Sequence, residues 1–173
     1  MNLFTEQPRL APALVIAVSL GALAAAYIAQ VWGGLDPCVL CIYQRYVYGV
    51  AFAVGLLGLL VGRSGISRAT MALAGLVFLV GAGIAFFNVG VELHWWRGTA
   101  ACHAPVFDLN QSLDDLRESM LETKFVPCDE IAWSLFGLSI AGYNTIASLV
   151  FAAASFWVVG RMRPEGVTRE AAL

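Results

Sequence analysis

The residues best equipped for chemistry in this chain are its four cysteines, two of them close together in Cys38-Val39-Leu40-Cys41. Asp36 suits a helix N-cap and Pro37 the first helical position, which sets this pair in the opening turns of a helix. There, free backbone N–H groups and the positive end of the helix dipole favour a thiolate, the form that attacks a disulfide or donates electrons. A C-x-x-C spacing also keeps both sulfurs on one helical face. Arg45 shares that face and, at about 1.5 Å per residue, sits about 6 Å further along the helix than Cys41. A guanidinium there would stabilise a carbonyl headgroup docked beside Cys41, most of all as that group gained negative charge on reduction. The plainer role is an arginine snorkelling to water or lipid phosphate.

Cys102 and Cys128 complete the set. Pairing them would close a ring of roughly 27 residues, which the loop-entropy model credits with about 3–4 kcal/mol. Spacing alone leaves the connectivity open. Structural disulfides are one reading of the four thiols. A zinc site is a second, but it lacks another close pair, and neither His94 nor His103 improves it; no metal is expected. The third is a thiol relay, in which one pair exchanges with a partner and the other hands electrons onward. A C-x-x-C pair at a helix start is a poor staple and a good redox couple, which favours the relay.

The elements that must hold these residues are written in the hydropathy. The chain is 60% hydrophobic and 13% charged, against about 45–50% and about 25% for a soluble domain. Apolar residues come in four long blocks, near residues 11–32, 42–62, 69–91 and 133–160. The expected fold is therefore all-α, a single four-helix transmembrane bundle across residues 1–173, with outer loops 33–41 and 92–131. The first block exceeds a cleavable signal core and reads as a retained signal-anchor. A net charge of −2 with no basic cluster argues against nucleic acid.

Orientation follows from the basic residues. Arg9, Arg63, Arg68, Arg161, Arg163 and Arg169 all fall on one side of a four-span topology, which should be cytoplasmic along with both termini. Both cysteine-bearing loops then face the outer compartment, where disulfides persist. In the longer loop, Leu109, Leu113, Leu116 and Met120 recur at helical spacing, as in a short amphipathic helix at the membrane interface or on the bundle. Trp32, Trp95, Trp96 and Trp133 fall near the outer boundary as an aromatic belt would. Gly58 and Gly62, with Gly81, Gly83, Gly137 and Ala141, suit close helix approach.

The run Cys38-Val39-Leu40-Cys41-Ile42-Tyr43-Gln44-Arg45 resembles the signature of the bacterial disulfide bond formation protein B family, DsbB, the quinone-linked oxidases that regenerate DsbA. The likeness extends over nearly the whole chain: four spans, C-x-x-C at the head of the second, and a cysteine pair in the second outer loop. It implies an inner-membrane thiol:quinone oxidoreductase that reoxidises a periplasmic DsbA-like thioredoxin-fold protein. Cys102 then forms the mixed disulfide with that partner, and the displaced Cys128 attacks Cys38. Cys41 becomes the thiolate facing the quinone, either ubiquinone or menaquinone, and Arg45 holds and polarises its ring.

One stretch departs from the family pattern. Many relatives carry a histidine near the outer end of the third span, where this chain reads Phe87-Asn88-Val89-Gly90-Val91-Glu92-Leu93-His94. Asn88 is expected as an interhelical hydrogen-bond residue and Glu92 as a solvated interface carboxylate, with no firm quinone contact at either or at His94. Two rivals to the family reading are a quinone reductase of the vitamin K epoxide reductase type, which usually bears its C-x-x-C late in the chain, and a non-enzymatic membrane scaffold stapled by disulfides.

Overall fold

A computed structural model describes residues 9–61, 64–102 and 126–162. Four long helices dominate it: α1 (Leu10–Val31), α2 (Val39–Val61), α3 (Ser64–Glu92) and α4 (Ile140–Arg161). All four are long and apolar enough to cross a bilayer. A 22-residue helix such as α1 rises about 33 Å, matching a hydrocarbon core of about 30 Å. The expected amphipathic helix around Leu109 to Met120 falls outside the described residues, as do Arg63, His103, Arg163 and Arg169.

The helices pack in chain order: α1 on α2, α2 on α3, and α3 most extensively on α4. Their shared core is built from small and aromatic side chains, with Ala51, Ala74, Phe78 and Ala152 buried together and Tyr48 and Phe151 set against the Phe78 ring. Glycine permits close approach at two seams. A β-carbon at Gly58 would lie 2.7 Å from the Thr70 hydroxyl, and one at Gly81 would lie 2.8 Å from Val47. Gly83, expected to do the same, faces open space, and Gly137 sits in a turn instead. At the end of the bundle where α3 begins, Arg68 donates to the Met162 carbonyl and ties α3 to the end of α4.

The fourth helix begins at Ile140, later than the hydropathy block starting near Trp133 suggests. The intervening residues form a hairpin, β1 (Ser134–Leu135) paired antiparallel with β2 (Leu138–Ser139). Its two-residue turn, Phe136-Gly137, has positive φ at both positions, the geometry that matches the twist of a tight hairpin. Apolar character spans this hairpin unbroken, so hydropathy cannot separate it from the helix. Ser139 then caps α4 by accepting the Gly142 N–H at 3.1 Å.

The C-terminal end of α3 is stopped by backbone geometry at His94, which takes φ 59°. The Trp95 N–H bonds to the Gly90 carbonyl, and the His94 N–H to that of Val91, in the manner of an αL helix cap. The chain then folds back: Trp96 donates its indole N–H to the Phe87 carbonyl and stacks on the Phe87 ring. A β-carbon at Gly90 would overlap that indole. This return carries the chain to a 3-10 turn, Ala100–Cys102, beside the head of α2.

Candidate functional site

Cys38 immediately precedes α2, two residues after the expected cap at Asp36, and is itself the N-cap. Its sulfur accepts the Cys41 backbone N–H at 3.3 Å, the bond an N-cap oxygen would normally make. The Cys41 sulfur lies 2.9 Å from that of Cys38 and shares a hydrogen bond with it. A disulfide bond is about 2.05 Å long, so the two sulfurs need only a small approach to join. Helix-start geometry thus fixes one thiol as the cap and aims the other inward from the first turn.

The second pair converges on the first. Cys38 and Cys102 are 7% and 6% exposed, Cys128 only 1%, and the three pack with Leu40 and Val91 in one cluster. Cys128 is within hydrogen-bonding reach of both Cys38 and Cys102, and the Leu40 N–H points to the sulfurs of both Cys38 and Cys128. Cys102 is held by the Thr99 hydroxyl at 3.5 Å and by a tight fit over Gly98, where a β-carbon would come within 2.7 Å of its own. In space the order is Cys102, Cys128, Cys38, Cys41, a line of four sulfurs that are all thiols here. Among the described residues no set of three or more His, Cys, Asp or Glu side chains is arranged to hold a metal ion.

The electrostatics differ along this line. Hydrogen bonding from Cys41 brings the Cys38 thiol down to about 6, aided by Cys128 and backbone N–H groups and opposed by burial. Burial, with the contact to Cys102, pushes the Cys128 thiol well up instead. Cys38 is therefore the thiolate at neutral pH and Cys128 the protonated neighbour.

Beyond Cys41 opens a cavity of about 770 Å³, a size typical of small-molecule sites. It lies between α1 and α4, which do not pack on each other as the other neighbours do. Small residues of α1, among them Gly21, Ala22, Ala25 and Ala29, form one wall; Ala141, Ala147 and Phe151 of α4 form another. Cys41 and Arg45 stand on its α2 side.

Arg45 is half-buried and tied to α1. It donates to the Gln30 side chain at 2.6 Å and the Ala26 carbonyl at 3.3 Å, and its guanidinium stacks 4.9 Å over the Tyr27 ring. A lone arginine at bilayer centre costs about 2.5–3.5 kcal/mol. These contacts, with about 0.5–2 kcal/mol from the ring alone, offset it. Two of its five N–H groups are so engaged among the described residues. The guanidinium is fixed at the cavity wall by α1, which is not the snorkelling arrangement.

Asn88 is 1% exposed and reaches from α3 to the Cys41 sulfur at 3.9 Å, with its carbonyl oxygen unpartnered. That places it between helices, as expected. Glu92 departs from expectation: it is half-buried at the cavity, in electrostatic contact with Cys41, and accepts the Ser139 hydroxyl. His94 lines a different, 310 Å³ cavity next to Cys102. A buried polar chain goes beyond what the sequence patterns single out: Asn144 bridges Gln44 and Tyr48, and Tyr48 meets Ser148. The signal was present, since a glutamine and an asparagine inside apolar spans need partners.

Comparison with known proteins bears directly on this arrangement. A family model described as Disulfide bond formation protein DsbB matches residues 8–158, a stretch holding all four helix cores and all four cysteines. The chain belongs to the DsbB family. It is similar to Disulfide bond formation protein B of Marinobacter nauticus, 31% identical over 87% of this chain and 92% of that one. Its similarity to the protein of that name from Xylella fastidiosa is 35% over 69% and 71%. The Pasteurella multocida protein is 31% identical over 76% of each chain. No solved structure matches. As a member of the DsbB family the chain is a membrane oxidoreductase of disulfide bond formation, with a four-helix membrane bundle for its fold. Membership in the DsbB family sets aside both the vitamin K epoxide reductase type and the disulfide-stapled scaffold.

Proposed function

We propose that this protein reoxidises an extracytoplasmic DsbA-like dithiol protein and passes the electrons along its sulfur line to a membrane quinone. The observation that carries the reading is the order of the four thiols, ending at a membrane-embedded cavity. Cys102, on its short loop turn, is the thiol that meets the partner. Cys128 exchanges with Cys102 on one side and Cys38 on the other. Cys41 faces the cavity and delivers two electrons there.

The chemistry of the cavity supports a quinone as the acceptor. A quinone ring supplies a two-electron sink with a carbonyl oxygen that becomes strongly basic on reduction, and its isoprenoid tail is soluble only in lipid. The cavity provides a dithiol beside a fixed guanidinium, and apolar walls that open between α1 and α4 where a tail can pass. Ubiquinone and menaquinone share these features. The cysteine end of the bundle is the outer one, because Arg9, Arg68 and Arg161 gather at the other end; both termini are then cytoplasmic, in a bacterial inner membrane.

Arg45→Met tests the acceptor half. Loss of a hydrogen bond to a charged group is worth about 1.5–3 kcal/mol, or about 10- to 100-fold. The KM for a soluble quinone should rise by that factor, while thiol exchange between Cys102 and a reduced dithiol protein changes little. An unchanged quinone KM would return Arg45 to a purely structural tether between α1 and α2.

A further inference from the structure

Glu92 ends α3 where a carboxylate has little structural reason to be. Negative charge at a helix C-terminus opposes the dipole, at a cost of about 0.3–1 kcal/mol for exposed positions. Here the group is also half-buried, and among the described residues burial is not offset by a cation. What holds it is the hydroxyl of Ser139, the same side chain that caps α4. The carboxylate is thereby fixed at the seam of α3 and α4, on the wall of the cavity that Cys41 and Arg45 also line.

Its surroundings define what it can exchange protons with. From α2 it faces Cys41, with Arg45 and Tyr48 lining the same cavity further along the helix. Asp36 and Cys38 line the cavity from the α1–α2 loop, Cys128 and Glu130 from the segment before the hairpin, and Tyr143 from α4. Of these, Cys41 is the group that the proposed reaction requires to lose a proton, and Asn88 touches its sulfur only as a donor through its amide nitrogen. Arg45 has no acceptor atom. The Cys38 thiolate, 2.9 Å from the Cys41 sulfur, is consumed as the nucleophile that forms the S–S bond, so the proton of Cys41 must go elsewhere. Among the described residues Glu92 is the carboxylate in electrostatic contact with Cys41.

We propose that Glu92 is the proton-transfer residue for Cys41, an inference that rests on reading the cavity as the quinone site. In the step, the Cys38 thiolate forms the S–S bond with Cys41. The S–H bond of Cys41 breaks, and its proton passes to the Glu92 carboxylate. Two electrons go to the acceptor, whose two oxygens gain one proton from Glu92 and one from water at the outer face. Glu92 ends as the carboxylate it began. Ser139 is the positioning residue that keeps the carboxylate turned to the cavity.

The test separates a base from a mere neighbouring charge, because the two predict opposite signs. In reduced, quinone-free protein, alkylation of Cys41 by N-ethylmaleimide is followed by mass spectrometry of the Cys41 peptide. As a base, Glu92→Gln slows it on the order of 100-fold at neutral pH, and Glu92→Asp recovers part of the loss. As a spectator charge, its neutralisation leaves Cys41 as reactive or more so, and that outcome overturns the proposal. With quinone, single-turnover quinol formation by Glu92→Gln should fall with KM within about twofold, and recover as pH rises and hydroxide replaces the base. Glutamine preserves shape and the Ser139 contact; should it fail to fold, Glu92→Asp still gives an intermediate alkylation rate if the proposal holds and an unchanged rate if it does not. Failure of wild-type protein to form quinol would overturn the acceptor reading while the alkylation arm still decides the role of Glu92.

Discussion

Cys41→Ser is expected to lower quinone reduction on the order of 1,000-fold or more, as loss of a reacting nucleophile does in other enzymes. A hydroxyl can neither form a disulfide with Cys38 nor release two electrons. The change is near-isosteric in a half-buried position, so insertion and helix packing should be retained. The same position sets the state of its neighbour. Hydrogen bonding from Cys41 is the foremost cause of the lowered Cys38 pKa, near 6. With the thiol intact, Cys38 is thiolate above about pH 6, and its alkylation rate drops about tenfold per pH unit below that. Cys41→Ala removes that contact but keeps the backbone N–H, so the alkylation midpoint should move up toward the ordinary thiol value. Quinol formation at the normal rate by Cys41→Ser, or an unmoved midpoint in Cys41→Ala, would contradict the assigned roles.

Cys128→Ser should be nearly as damaging, for a different reason. Cys128 is the thiol that touches both pairs, Cys102 on one side and Cys38 on the other. Without it there is no Cys102–Cys128 disulfide for the thiolate of the reduced dithiol protein to attack, so electrons have no way in. Turnover is expected to fall by about three orders of magnitude. Given the oxidised form of the partner instead, the Cys102 thiolate opens that disulfide and releases one partner thiolate. It is left in a mixed disulfide that no second thiol beside it resolves, visible as a heavier band on a non-reducing gel. Turnover at the wild-type rate with no such band would mean that Cys102 passes electrons straight to Cys38.

Much of this arrangement is legible in the chain itself. Four apolar blocks become four helices because lipid leaves the backbone no other way to satisfy its hydrogen bonds. The C-x-x-C and Arg45 are linked by helical phase alone, and they meet the same cavity. Local chemistry is where reading by pattern falls short. Asp36 and Pro37 look like a helix start, yet the Cys38 sulfur takes the capping role and delays the helix to Val39. The hairpin before α4 hides in an unbroken apolar run, and a phenylalanine at positive φ gives no turn signal. The remaining misses are long-range. Nothing near Arg45 in sequence announces that Gln30 and Tyr27 on α1 will hold it. Glu92 looks solvated until α4 brings Ser139 against it.

The proposed relay takes electrons in at Cys102, on the loop beyond α3, and releases them within the membrane. Its most direct test is anaerobic mixing of the purified protein with a reduced thioredoxin-fold dithiol protein and a soluble quinone, reading both products. The account predicts one quinol formed for each dithiol oxidised, with no oxygen required. Dithiol oxidation without quinol, or quinol without prior reduction of the four sulfurs, would contradict it.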